Sequence, residues 1–234
     1  MKPVTLAALL MLASAPALAQ AAPDAPGVTK ANTGSPNASD LLFEQPQMKN
    51  VPPGSTLTYM YLRRSGISKG PFGPPLDDTI KLGIEPGKSA DSRDIRVQMF
   101  SGANRFPAGP FEDMPGNPVM TLFLEHHLID LARVLMANPR YIKNAIRKGL
   151  RDNATVTPTE IDYKGHKVAA WRIETKPFVD DKMKERMRGF DNLTYTFVTS
   201  DAVPGELVSI EATSKTPEGG ELLQENLTYD PNAG

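Results

Sequence analysis

Residues 117–152 read NPVMTLFLEHHLIDLARVLMANPRYIKNAIRKGLRD, and this stretch decides the fold. Asn117-Pro118 is a helix-start signal, with Asn as cap and Pro in the first turn. The spacing predicts a helix from Val119 to Ala137, in which Met120, Phe123, Leu124, Leu128, Leu131 and Leu135 share an apolar arc. Asn138-Pro139 ends that helix and starts another, running from about Arg140 to Asp152. So short a connection makes the two an antiparallel hairpin.

On either side of the pair the period drops to two. Upstream, Leu57, Tyr59 and Tyr61 alternate with Thr58, Met60 and Leu62. Ile80, Leu82 and Ile84 form a second alternating set, and Ile95, Val97 and Met99 a third. A fourth, irregular strand is expected at Asn104–Pro107. Downstream, Thr159–Asp162 and Val168–Thr175 flank a Lys164-Gly165 turn. Further strands are expected at Leu193–Phe197, Val208–Ala212 and Leu222–Tyr229. These are half-buried antiparallel strands by pattern. The fold class is therefore α+β. About eight or nine strands form one curved, half-barrel-like antiparallel sheet, and the helical hairpin packs on its concave face.

Ahead of this domain, Lys2, the apolar run Val4–Leu12 and Ala17-Leu18-Ala19 have the three-part form of a secretory signal peptide. Residues 1–19 are read as that peptide, residues 20–49 as a Pro/Ala-rich disordered linker and residues 50–230 as one domain. The expected location is the periplasm, free of a lipid anchor. The sequence contains no cysteine, which excludes disulfides, thiol catalysis and cysteine metal sites. Its 26 basic and 27 acidic residues nearly balance, so nothing draws the whole chain to nucleic acid. No cofactor motif and no metal-ligand spacing stand out.

The order of four strands, a helical pair and five strands resembles that of the periplasmic lipoprotein carriers, whose curved half-barrel is plugged by helices. The resemblance lies in element order, and this chain differs in having a single central helical pair. Leu42-Phe43-Glu44-Gln45-Pro46, Gly116-Asn117-Pro118 and Ser200-Asp201-Ala202-Val203-Pro204-Gly205 also resemble segments of secreted proteobacterial proteins. The resemblance implies a fold and carries no functional residues.

Three sets of side chains suggest chemistry. Glu125, His127 and Asp130 form an acid/base candidate. On the helical wheel, His126, Asp130 and Arg133 share a polar arc while His127 falls on the apolar one, so a surface pair beside a core histidine is the plainer reading. Arg140, Lys143, Arg147, Lys148 and Arg151 make the second helix a cationic surface for anionic lipid or an acidic protein partner. The same pattern describes a solvated helix face. Tyr59, Tyr61, Trp171, Tyr195 and Phe197 are candidate linings of a groove in the hollow of the sheet. Met183 and Met187, four apart, would form its adaptable lid. The function expected from this set is a non-enzymatic periplasmic binding or carrier protein for an apolar or amphiphilic ligand or an envelope component. An envelope assembly factor acting through the cationic helix and a hydrolase-like enzyme built on Glu125 and His127 are the alternatives.

Overall fold

Alternating apolar and polar side chains build nine antiparallel strands into one open sheet. The computed structural model describes residues 36–67, 70 and 72–233. The expected signal peptide and the first part of the expected linker lie outside them. The strands are β1 (Thr56–Ser65), β2 (Leu76–Pro86), β3 (Arg93–Met99), β4 (Phe111–Met114), β5 (Thr155–Tyr163), β6 (His166–Thr175), β7 (Thr194–Thr199), β8 (Leu207–Lys215) and β9 (Glu221–Tyr229). Their spatial order is β4-β3-β2-β1-β9-β8-β7-β6-β5. Two meanders thus meet at the centre, where β1 pairs with β9 from Tyr59↔Tyr229 to Ser65↔Leu223.

The two helices, α1 (Val119–Leu135) and α2 (Pro139–Asp152), connect β4 to β5. Those strands are the opposite edges of the sheet, so the hairpin has to cross the full width of the concave face. Each helix begins where the Asn-Pro signals put it. Asn117 Oδ1 accepts the Val119 amide at 3.1 Å, and Asn138 Oδ1 accepts the Arg140 amide at 2.8 Å. α1 stops two residues early because Met136 takes a left-handed conformation, φ 51°.

The inward phase of the strands supplies one wall of the core. Leu57, Tyr59 and Tyr61 of β1, Ile80, Leu82 and Ile84 of β2 and Leu223 and Leu227 of β9 are all buried. Phe123, Leu128 and Leu131 of α1 and Ile142, Ile146 and Leu150 of α2 supply the other. Gly149 lets α2 lie close to the end of β6. A Cβ there would stand 2.8 Å from Thr175 Oγ1 and 3.1 Å from the Pro177 Cα. Gly205 has φ 74°, and a Cβ on it would meet Asn117 Nδ2 at 2.7 Å.

Three local expectations are corrected. Residues 38–49 are not linker. Ala38, Leu42 and Met48 are buried, and Gln47 bonds to Leu41 and Leu42 carbonyls and to the Asn117 amide. A few large apolar side chains and one amide suffice to dock a proline-punctuated segment. The fourth strand lies at Phe111–Met114. Residues 102–104 form a 3-10 turn, and Phe106 makes only an isolated bridge to Met99. The charged stretch 180–188 contains a single 3-10 turn, Lys184–Arg186. Met183 and Met187 therefore do not share a helix face.

Candidate functional site

β1 and β9 each place one charged side chain on the apolar side of the sheet. Arg63 stands in phase with Tyr59 and Tyr61, and Glu225 in phase with Leu223 and Leu227. Both point at α1. Glu225 is 0 % exposed, as is His127 opposite it. Glu225 Oε1 accepts the Tyr61 hydroxyl at 2.6 Å, and Oε2 lies 2.7 Å from His127 Nδ1. Burial alone would raise the Glu225 pKa. The charge of His127 and the hydrogen bonds from His127 and Tyr61 outweigh burial and hold it below the ordinary carboxylate range. An ionised carboxylate only accepts, so Nδ1 carries the proton it donates. Tyr61, buried and facing that carboxylate, is pushed far up. His127 Nε2 and the Tyr195 hydroxyl, both sealed in the core, have no hydrogen-bond partner among the described residues, and their rings meet edge-on at 5.4 Å.

A second buried pair lies one turn along α1. Arg63 Nη1 donates to Asp130 Oδ2 at 3.1 Å, and Arg133 reaches the other oxygen at 3.4 Å. Burial raises the Asp130 pKa, against the pull of His126 and Arg63. His126 is ringed by Tyr61, Phe100 and Phe106, with centroids at 6.1, 5.2 and 5.3 Å. Burial among them lowers its pKa. His126 and Asp130 of the polar arc read on α1 thus face protein, because the curled sheet covers more of the helix than its apolar arc alone requires, while Arg133 stays exposed to water.

The acid/base candidate is dispersed by this geometry. His127 is sealed between helix and sheet, Asp130 is bound to Arg63, and Glu125 lies on the outer side of α1, where it pairs with Lys143. The expected groove lining is also corrected. Tyr59, Tyr61, Tyr195 and Phe197 are fully buried core residues, and Trp171 packs half-buried against the same core. The two helices fill the hollow that those side chains would have lined. Met187 is buried, whereas Met183 is 42 % exposed. Of the cations on α2, Lys148 and Arg151 are held by Asp152, and Lys143 by Glu125. Among the described residues, Arg140 and Arg147 have no ion-pair partner. The phase of Arg63 and Glu225 was the sequence signal for the buried network: each is a charged residue standing where its strand is otherwise apolar.

Open space survives on the two flanks of α2. Between α1 and α2 lies a groove of about 100 Å³, walled by Leu124, Leu128, Ile146 and Leu150 and by Phe43 from the N-terminal segment. Glu125, Lys143 and Arg147 also line it. On the other flank, a more open cleft of about 620 Å³ separates α2 from the 177–183 loop. Its lining mixes the polar side chains Asn144, Lys148, Asn153 and Asp181 with the apolar surface of Tyr141, Ala145, Pro177 and Met183. Tyr141 donates to Asp181 beside it, and burial together with that bond pushes the phenol up to about 12. Among the described residues no group of His, Asp and Glu is placed to hold a metal ion, and no helix is long and apolar enough to cross a membrane. Comparison with known protein families returns no match, and comparison with curated proteins returns none.

Proposed function

We propose that the protein is a non-enzymatic periplasmic binding protein that takes a single-chain amphiphile into the groove between α1 and α2. One observation carries the reading. The groove has apolar walls, Leu124, Leu128, Ile146, Leu150 and Phe43, and cations, Lys143 and Arg147, in the same lining. That combination suits a molecule with one apolar and one polar end. The volume limits what enters. A cavity of about 150 Å³ accepts one benzene ring, so a groove of about 100 Å³ holds only a few methylenes of one narrow chain, and the rest of the amphiphile lies along the surface outside it. The sealed position of His127 speaks against hydrolysis at that residue, since no substrate reaches it. Delivery to the periplasm follows from the signal-peptide pattern of residues 1–19.

The test is native mass spectrometry and solvent extraction of the full-length protein purified from an envelope fraction, followed by titration with dodecanoate and with dodecanol. A co-purifying single-chain amphiphile, and binding of at least one probe that Leu124→Glu abolishes, are expected. A chain recovered from the cytoplasm, or a protein that binds neither probe, overturns the proposal.

A further inference from the structure

Glu125 and Lys143 face each other from α1 and α2 in the lining of the groove and form an ion pair. Resting on the groove reading above, we infer that Glu125 is a built-in placeholder for the ligand's head group. Its carboxylate occupies Lys143 until an anionic head displaces it, and the cost of this exchange limits the preference for anionic over neutral amphiphiles.

The groove's electrostatics carry the inference. Both side chains of the pair are well exposed, 45 % for Glu125 and 39 % for Lys143. A pair so placed contributes only about 0.2–1 kcal/mol and opens readily. Arg147, one helical turn beyond Lys143, lines the same groove and has no carboxylate partner among the described residues. With Glu125 in place, the three groups sum to one positive charge. With Glu125 swung out to water, an incoming anion meets two cations.

An anionic head replaces one carboxylate–ammonium contact with another, so Lys143 loses nothing in the exchange, and Arg147 gains a partner it otherwise lacks. A neutral head offers Lys143 no such replacement and leaves Glu125 where it is. The neighbouring cations do not compete on equal terms, because Lys148 and Arg151 are both held by Asp152. Glu125 is thereby a selectivity residue. It suppresses occupation of the cations by weak or diffuse anions and yields to an anion whose attached chain also fills the apolar walls.

The test compares dodecanoate with dodecanol, titrated at neutral pH into the full-length protein and into Glu125→Gln, Lys143→Gln and Arg147→Gln. The readout is the ratio of the two affinities, with circular dichroism confirming that each variant is folded. Glu125→Gln should raise the dodecanoate-to-dodecanol ratio by about 1.4- to fivefold, the worth of one exposed ion pair. Lys143→Gln and Arg147→Gln should each lower it. A ratio that Glu125→Gln leaves unchanged or lowers, in a protein that still binds dodecanol, overturns the placeholder role and leaves the groove intact. Failure of the unmodified protein to bind either probe overturns the groove, and the placeholder with it.

Discussion

His127 Nδ1 lies 2.7 Å from Glu225 Oε2, joining the middle of α1 to a central strand across 98 residues of chain. Neither side chain touches water. Removing one member of such a pair strands the other in a low-dielectric interior, so Glu225→Ala should cost about 3–5 kcal/mol at neutral pH. Urea unfolding would measure it, and a loss under about 1 kcal/mol would show that the pair contributes little.

The same pair sets an acid limb. The folded Glu225 holds its charge below the ordinary carboxylate value of 4.5. Its contribution is therefore fully present above that value and is lost as pH falls through the lower, folded one. Thermal stability of the unmodified protein should drop as pH falls below 4.5, and Glu225→Gln should flatten that part of the curve. Parallel curves for the two proteins would assign the acid limb to other carboxylates.

Arg63 and Asp130 test whether a buried charge pair stabilises or only has to be matched. Arg63→Leu alone leaves Asp130 with only the exposed Arg133 and should cost about 3 kcal/mol or more. Arg63→Leu with Asp130→Leu should recover most of that loss, because the stranded carboxylate goes too. If the double variant is as unstable as the sum of the single ones, the two residues act independently.

Gly149 reverses the usual rule for a glycine inside a helix. Propensity alone predicts that Gly149→Ala stabilises by about 1 kcal/mol. The new methyl would meet Thr175 Oγ1 and the Pro177 backbone, so destabilisation of about 1–3 kcal/mol is expected instead. Thr175→Val is the companion variant. The Thr175 hydroxyl is buried without a hydrogen-bond partner among the described residues, so replacing it should be neutral or mildly stabilising. A rise in melting temperature for Gly149→Ala would mean that α2 moves freely on the sheet.

Asn117 ties three parts of the chain together. Its amide donates to the Tyr59 hydroxyl at 2.8 Å and to the Gly205 carbonyl at 2.9 Å, while its oxygen accepts the Val119 amide. Asn117→Ala should cost about 2–4 kcal/mol, because it leaves buried polar groups unpaired as well as uncapping α1. A loss typical of a surface cap, about 1 kcal/mol, would show that water replaces the lost partners.

Much of this fold is local and could be read from the chain. Period-two alternation fixes β1 through β3 and β6 through β9, and the two Asn-Pro pairs fix where α1 and α2 begin. The central pairing of β1 with β9 has no local signature, since strand alternation says which face is apolar but not which strand lies alongside. Strand β4 hides behind prolines and glycines. The expected groove failed for a physical reason: an inward-facing aromatic looks the same in sequence whether the space before it is empty or filled by Phe123 and Leu128. The groove between the helices draws on Leu124, Ile146 and Leu150, which the helical spacing marks as apolar, and on Phe43, whose approach is set by a segment that composition alone assigns to a linker.

Because the first and last strands zip together in mid-sheet, neither meander is a smaller version of the whole. A chain cut short before β9 presents two raw inner margins, each with a full row of unsatisfied amides and carbonyls, and no partner for Tyr61 or His127. The two halves of the sheet are thus joined through a single strand, and β9 carries the cohesion of the whole layer.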